Sequence, residues 1–211
     1  MSVRSGLAVV VALVTTAALT SGPLAAQDTT WVIGSGRIGP ITKTTTVADL
    51  RARFGAAAVV ADRLDIGEGE TEPGVVLFPD DSTRRAYLYW KDTASLADLS
   101  AVDIRDQGTR WRIAGGVGIG TPLARLEELN HGPFTFSGFD WDYGGRATFL
   151  GGLDSLAGPA ISFGVGLWPT CREAVAAERY ETVVGDKEVS SSDPVARDLC
   201  IVVDELWVSF R

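Results

Sequence analysis

The fold class of this chain is decided by residues 75–90, which read Val75-Val76-Leu77-Phe78-Pro79-Asp80-Asp81-Ser82-Thr83-Arg84-Arg85-Ala86-Tyr87-Leu88-Tyr89-Trp90. Runs rich in β-branched and aromatic residues stand on both sides of a segment that contains proline, aspartate and serine. This pattern is typical of a β-hairpin, whose two strands run antiparallel. The sequence therefore predicts an antiparallel sheet as the main structural layer.

Further strands are predicted on both sides of this hairpin. A first short strand is expected at residues 31–33, which Gly34-Ser35-Gly36 follow. Residues 102–105 and 110–113 flank a polar turn and predict a second hairpin.

Two more strands are predicted near the C-terminus. Residues 160–167 alternate large apolar with small residues, so one face of that strand is expected in the core. The core-facing residues would be Ile161, Phe163, Val165 and Leu167. Residues 201–210 predict a long final strand, and the residues expected on its buried face are Val202, Leu206, Val208 and Phe210.

A short amphipathic helix is predicted to begin at Val47. Val47, Leu50 and Phe54 recur at three- and four-residue spacing, a threonine precedes them as N-cap, and Gly55 is suited to end the helix.

Start signals predict two further helices. In the first, Thr121 is the expected N-cap and Pro122 the first helical residue. In the second, Thr170 and Glu173 form the spacing of a capping box and predict a helix that continues to Tyr180. The fold class expected is therefore α+β, with short helices packed on an antiparallel sheet.

A possible internal repeat suggests the domain organisation. Residues 45–50 and 121–126 both read Thr-x-[Val/Leu]-Ala-x-Leu, and strand-like sequence follows each. A duplicated helix-plus-hairpin unit would place a first α+β unit at 27–114 and a second at 115–211, which includes a disulfide-tied C-terminal extension. Chance similarity between two capped helices is the alternative, in which case 27–211 is one compact domain.

The first 26 residues are typical of a secretory signal. Arg4 supplies the positive charge, residues 7–19 form an uncharged apolar run, and small residues end at Ala26. The mature protein is expected to begin at Gln27, in the periplasm or outside the cell. The apolar run is shorter than a membrane-spanning helix needs, so no membrane span is expected.

The charge of the chain bounds its partners. The net charge is −8, and removal of Arg4 with the signal leaves a mature chain at −9. Nucleic acids and anionic lipid surfaces need clustered Lys and Arg, so neither is an expected partner. A basic partner is favoured instead.

Cys171 and Cys200 are the only cysteines of the sequence. An even pair in an exported chain predicts a disulfide rather than two free thiols. Two distant cysteines and one histidine are a poor ligand supply for zinc, so neither a metal site nor a cofactor is predicted.

The segment with most candidate functional side chains is residues 133–145. A strand with a bulge near Gly138 would point Phe134, Phe136, Phe139, Trp141 and Tyr143 inward and both aspartates toward water. In that interpretation the segment is structural.

Two functional interpretations compete with it. Asp140 and Asp142, with the sole histidine His131 nearby in sequence, could form an acid/base or cation site. Alternatively Trp141 and Tyr143 could stack against a glycan or a partner protein. The glycine-rich run at 115–120 lacks the residues of a phosphate-binding loop.

The pattern Gly-x-Ile-x-x-x-x-Thr-x-x-x-Leu-x-x-x-Phe-Gly, from Gly39 to Gly55, resembles the helix start of small exported α+β modules. Examples are the outer-membrane barrel-assembly lipoproteins and the tandem β-lactamase-inhibitor proteins. The resemblance implies a short helix on an antiparallel sheet that is used for protein binding without catalysis. The chain departs from the lipoproteins because no Cys follows the signal, and it has a third region that those modules lack.

The sequence thus favours an exported, non-catalytic protein that binds another envelope or extracellular protein. The alternatives are a small periplasmic hydrolase or metal-dependent enzyme that uses His131, Asp140 and Asp142, and a carbohydrate-binding module that uses Trp141 or Tyr143.

Processing of the signal is directly measurable. When the full-length chain is expressed with its own leader, we expect the exported protein to begin at Gln27 and to contain no free thiol. Intact-mass spectrometry with and without thiol alkylation measures both. Recovery of an unprocessed cytosolic precursor with two alkylated cysteines would contradict the prediction.

Overall fold

The computed structural model describes residues 29–148 and 151–211. In these ranges the strands are β1 (Val32–Gly34), β2 (Arg37–Ile38), β3 (Val59–Gly67), β4 (Glu70–Leu77), β5 (Ala86–Asp92), β6 (Ala97–Ile104), β7 (Arg112–Ile113), β8 (Thr135–Ser137), β9 (Ala147–Thr148), β10 (Ile161–Pro169), β11 (Glu188–Ser190) and β12 (Ile201–Phe210). The α-helices in the same ranges are α1 (Val47–Phe54), α2 (Leu123–Asn130), α3 (Ala177–Tyr180) and α4 (Pro194–Asp198). The predicted signal lies outside the described residues.

The main structural layer is one antiparallel sheet in the order β3-β4-β5-β6-β12-β10-β9. The final strand, β12, lies between β6 and β10 and therefore joins strands from both predicted units. Two small sheets accompany it, β2-β1-β7 and β11-β8. The α+β class with short helices and an antiparallel sheet is confirmed.

The hairpin predicted at residues 75–90 is present as β4 and β5, which pair Val75 with Leu88 and Leu77 with Ala86. Alternate side chains of these strands point into one large core. The bounds predicted for the final strand match β12.

The second predicted hairpin is wrong. β6 pairs with β5 and β12, whereas β7 pairs in parallel with β1 in a small sheet. The chain turns away after β6 because Trp111 becomes fully buried, with its Nε1 donating to the Arg84 carbonyl at 2.9 Å. Burial of one large aromatic side chain outweighs the local hairpin signal.

A β-bulge in β12 corrects the predicted face of Val202. Glu205 lies opposite Gly166 and Val203 opposite Leu167, so Asp204 is the extra residue. The bulge changes the alternation, which places Val203 in the core with Leu206 while Val202 is only half-buried. The four residues predicted on the core face of β10 are all buried.

The helix predictions had mixed outcomes. α1 begins after Thr46, which accepts a hydrogen bond from the Asp49 N–H, and Gly55 ends it with a φ of 89°. α2 begins one residue later than predicted, at Leu123. The Val203 N–H donates to the Thr121 carbonyl at 2.9 Å and the Gly118 N–H to Thr121 Oγ1 at 2.9 Å, so Thr121 is held beside β12 and does not act as the N-cap.

The long helix predicted from Thr170 to Tyr180 is wrong. Thr170 Oγ1 donates to the Cys200 carbonyl at 2.7 Å instead of capping a helix, and a single 3-10 turn at Arg172–Ala174 follows. The chain is extended at Val175, which is 8% exposed, before the four-residue α3 begins.

The predicted disulfide is present between Cys171 and Cys200. It links the segment after the end of β10 to the residue before β12. No helix in ranges 29–148 and 151–211 has the length and apolar character required to cross a membrane.

The disulfide should stabilise the sheet by restricting the unfolded chain. The two cysteines are 29 residues apart, which corresponds to roughly 3.5 kcal/mol on the chain-entropy model. We therefore expect the Cys171→Ser, Cys200→Ser double variant to unfold at lower denaturant than the oxidised protein. Urea unfolding measures the difference, and reduced wild-type protein is the matched control. Equal midpoints for oxidised and reduced wild type would contradict this.

Candidate functional site

A concave cleft of about 710 Å³ lies on the face of the main sheet opposite the core. Residues of β5, β6 and β12 line its floor. Asp103 of β6 is central, because it lies opposite Tyr87 of β5 and opposite Trp207 of β12. The pairing of these three strands therefore assembles the site from distant parts of the chain.

Two aromatic side chains form the floor of the cleft. The rings of Tyr89 and Trp207 lie 5.1 Å apart at 47°. Tyr89 donates from its hydroxyl to the Asp65 carbonyl at 3.0 Å, and the Trp207 indole donates to Ser209 Oγ at 3.0 Å. These hydrogen bonds fix both rings.

Asp103 is an acid placed where its charged form is disfavoured. Its side chain is 1% exposed, and the nearest guanidinium, that of Arg105, lies 3.4 Å from Oδ2. Burial, reinforced by the charge of Glu205, raises the pKa of Asp103 to about 8. Arg105 and Arg146 oppose that increase only in part. At neutral pH the Asp103 carboxyl is therefore mainly protonated.

A proton on Asp103 also explains its hydrogen bonding. No described N–H or hydroxyl group donates to its Oδ1. The Glu205 carboxyl lies within hydrogen-bonding reach of Asp103. A protonated Asp103 can donate to the Glu205 carboxylate, and this interaction favours the protonated form of Asp103.

Asp204 and Glu205 converge although they are consecutive in a strand. Because Asp204 is the bulge residue, both side chains approach the backbone of Gly166. A Cβ built on Gly166 would lie 3.0 Å from Glu205 Oε2 and 3.2 Å from Asp204 Oδ1. Burial and the neighbouring Glu205 raise the pKa of Asp204. In the described part of the chain, neither acid forms an ion pair with Lys or Arg.

Arg146 stands at the edge of the cleft, between two aromatic rings. Its guanidinium carbon is 5.6 Å from the Tyr143 ring centre and 5.9 Å from that of Trp207. Asp142, from the same loop, also borders the cleft. The loop at 140–146 thus contributes the Asp142 carboxylate and the Arg146 guanidinium to the cleft.

The bulged strand predicted at residues 133–145 is wrong in its second half. β8 ends at Ser137, Phe139 makes one bridge to Val184, and a turn follows in which the Gly144 N–H donates to the Trp141 carbonyl. Trp141 is half-buried and Tyr143 is 47% exposed, so these two residues do not enter the core as predicted. The three phenylalanines of the segment are buried and both aspartates are exposed, as predicted.

The structure places His131, Asp140 and Asp142 in three different surroundings. His131 ends α2 in a left-handed conformation, with a φ of 62°. Asp140 accepts a hydrogen bond from the Tyr180 hydroxyl at 3.1 Å and lies 3.5 Å from Arg172 Nη2. Asp142 is the one of the three that borders the cleft. Within 29–148 and 151–211, no cluster of three His, Cys, Asp or Glu side chains could hold a metal ion.

Sequence reasoning missed Asp103, Glu205, Trp207 and Arg146. A usable signal was present for the acids, because each is a carboxylate inside an otherwise apolar run that predicts a strand. An acid on the outer face of a sheet normally contacts water, however, and only the neighbouring rings show that Asp103 is buried.

Comparison of the chain with protein-family models, with curated proteins and with solved structures finds no match.

The protonation of Asp103 has a measurable effect on stability. Its folded pKa of about 8 exceeds the roughly 4 of an unfolded aspartate, so the folded state binds more protons between these values. The free energy of unfolding should therefore decrease as pH rises from about 4 to about 8, by at most ~1.4 kcal/mol per pH unit from this group.

Asp103→Asn removes this titration, so its stability relative to wild type should improve as pH increases through that range. Urea unfolding at several pH values measures the difference, and Asp80→Asn, at an exposed turn, is the matched control. The same pH slope in wild type and Asp103→Asn would contradict the assignment.

Proposed function

We propose that this protein is exported and binds, without catalysis, a basic segment of a partner protein in the cleft on the outer face of its sheet. One observation is central to this proposal: Glu205 and Asp204 converge at the cleft, and neither is paired with a described cation. A cationic group of a ligand would stabilise two close carboxylates that have no counter-ion.

The charge around the whole cleft supports a basic ligand. Six carboxyl side chains and two guanidinium groups border it. The acids are Asp65, Glu72, Asp103, Asp142, Asp204 and Glu205, and the guanidinium groups are those of Arg105 and Arg146. Even with Asp103 protonated, negative charges outnumber positive ones, so the field favours cationic ligands.

The aromatic floor supports the same ligand class. The half-buried Trp207 offers a ring face beside the carboxylates, and the buried Tyr89 packs against it. Aromatic faces attract ammonium and guanidinium groups, and the position of Arg146 over the Trp207 ring is an example within this protein.

Burial of Asp103 favours binding over catalysis. A general acid must reach its substrate, but Asp103, whose pKa of about 8 would suit proton transfer near neutral pH, is 1% exposed. The alternative enzyme built on His131, Asp140 and Asp142 is less well supported, since only Asp142 of the three borders the cleft.

A carbohydrate ligand is the second candidate, because the exposed ring of Tyr143 stands next to Asp142 and Arg146. A neutral glycan would bind there by stacking and hydrogen bonds, with little dependence on salt.

Export to the periplasm or the extracellular space is supported by the signal-like leader and by the disulfide. The partner is therefore expected in the same compartment.

Binding of a basic peptide tests the proposal. The purified, disulfide-bonded protein should bind oligolysine or oligoarginine, measured by isothermal titration calorimetry, and should not bind oligoglutamate. Affinity should decrease as salt increases. Glu205→Gln should weaken binding roughly tenfold, which corresponds to the loss of ~1.4 kcal/mol of attraction.

Two further variants test whether the cleft attracts the positive charge of the ligand. Asp80→Asn, outside the cleft, should leave affinity unchanged, whereas Arg146→Gln should strengthen binding because it removes a like charge. Stronger binding by Glu205→Gln, or binding of oligoglutamate, would overturn the proposal. Salt-independent binding of a neutral glycan, with none of the basic peptides, would favour the carbohydrate alternative.

A further inference from the structure

A narrow groove of about 230 Å³ opens from the cleft along β10. On the outer face of this strand stand Ser162, Gly164 and Gly166, while the intervening residues point into the core. The two glycines therefore give the groove a floor of bare backbone.

The neighbouring strands supply the walls of the groove. Gly164 lies opposite Trp207 of β12 on one side and opposite Thr148 of β9 on the other, and Gly166 lies opposite Glu205. Each missing side chain is thus next to a large one. Trp207 and Glu205 form one wall, and Arg146 and Ala147 border the other.

The groove has a charged end. At Gly166, Glu205 Oε2 and Asp204 Oδ1 lie 3.0 and 3.2 Å from the position that a Cβ would take, so both oxygens stand beside the backbone at this end of the groove. Two carboxylate oxygens that stand beside the same backbone position can both accept from a compact ammonium group, which donates three hydrogen bonds from one nitrogen. A planar guanidinium prefers both oxygens of one carboxylate.

A buried acid next to this end supports the presence of a ligand site. Asp103 is 1% exposed, borders the cleft and interacts with Glu205, and no described N–H or hydroxyl group donates to its Oδ1. Asp204 and Glu205 therefore lie beside a buried acid, and neither has a cationic partner of its own in the described ranges.

The dimensions of the groove fit one side chain. Two residues of a strand, from Gly164 to Gly166, extend about 7 Å. An extended lysine side chain spans about 6 Å from Cα to the amine, given carbon–carbon bonds of roughly 1.5 Å. An aliphatic stem can also pack against the Trp207 ring while its charged end contacts the acids.

We infer that this groove receives a single lysine side chain of the partner, with the stem along Gly164 and Trp207 and the ammonium group at Glu205 and Asp204. This inference rests on the proposed function and specifies the residue that the cleft recognises. The glycines at 164 and 166 are then specificity-determining residues, because any side chain there would occupy the path of the lysine stem.

Filling the groove tests the inference without removing a charge. Gly164 has no left-handed backbone conformation, and a Cβ there would contact only the Ala147 carbonyl, at 3.0 Å. Gly164→Ala is therefore compatible with the fold, and the neighbouring two-residue strand β9 must move by only a few tenths of an ångström. We expect at least tenfold weaker binding of oligolysine, and a larger loss for Gly164→Val.

The matched control is Ala61→Val, which adds bulk at an exposed position of the edge strand β3. This variant should bind oligolysine as wild type does. Thermal unfolding of all variants shows whether Gly164→Val remains folded. If Gly164→Val does not fold, Gly164→Ala and the ligand series described next test the lysine groove.

Chemical variation of the ligand tests the same contact in the wild-type protein. Oligolysine with acetylated amines, and a peptide of equal length with norleucine in place of lysine, should each bind at least tenfold more weakly. Oligoarginine should bind more weakly than oligolysine if a compact ammonium group is preferred.

The outcomes separate this inference from the proposed function. Equal binding of oligolysine to wild type and to folded Gly164→Ala would overturn the lysine groove and leave a basic ligand in the cleft. Equal or stronger binding of oligoarginine would also overturn lysine as the preferred residue. Failure of every basic peptide to bind wild type would overturn both proposals.

Discussion

The structure depends on the pairing of β12 along both of its edges. This strand hydrogen-bonds to β6 on one side and to β10 on the other, so it connects the N-terminal hairpins to the C-terminal part of the chain. The disulfide is placed where β12 begins, next to the end of β10. A central strand that is also the last strand must be held in register, because a shift of one residue would move its apolar side chains out of the core.

The bulge at Asp204 allows β12 both to fill the core and to line the cleft. On the C-terminal side of the bulge, Leu206, Val208 and Phe210 enter the core, while Glu205 and Trp207 face the cleft. On the other side, Ile201 and Val203 enter the core. One extra residue thus keeps both ends of the strand buried and brings two acidic side chains together at Gly166, which a regular strand would place on opposite faces.

Three locally unfavourable features occur together at this point. Gly164 and Gly166 interrupt a strand, where glycine lowers stability relative to residues with side chains. Asp103 is buried without a full set of hydrogen bonds, and Asp204 and Glu205 repel each other. Next to the cleft on the same face, Leu64 and Val76 form a small apolar cluster with Tyr89 and Ala101, which also line the cleft. Violations of local rules that coincide in one place are expected at functional sites rather than in purely structural regions.

The sequence by itself determined the elements whose signals are local. The hairpin at 75–90, the bounds of β12, the capped start of α1 and the Cys171–Cys200 bridge were all predictable, since each follows from alternation, capping or the presence of a single cysteine pair. Tertiary structure alone decided that Trp111 breaks the second hairpin, that Val203 replaces Val202 in the core, and that Asp103, Glu205 and Gly166 form one site. Those residues are far apart in the chain, and the pairing of β6, β12 and β10 brings them together. No short stretch of sequence contains a pattern for this non-local strand pairing. The burial of Asp103, which the pairing causes, leaves no local pattern either.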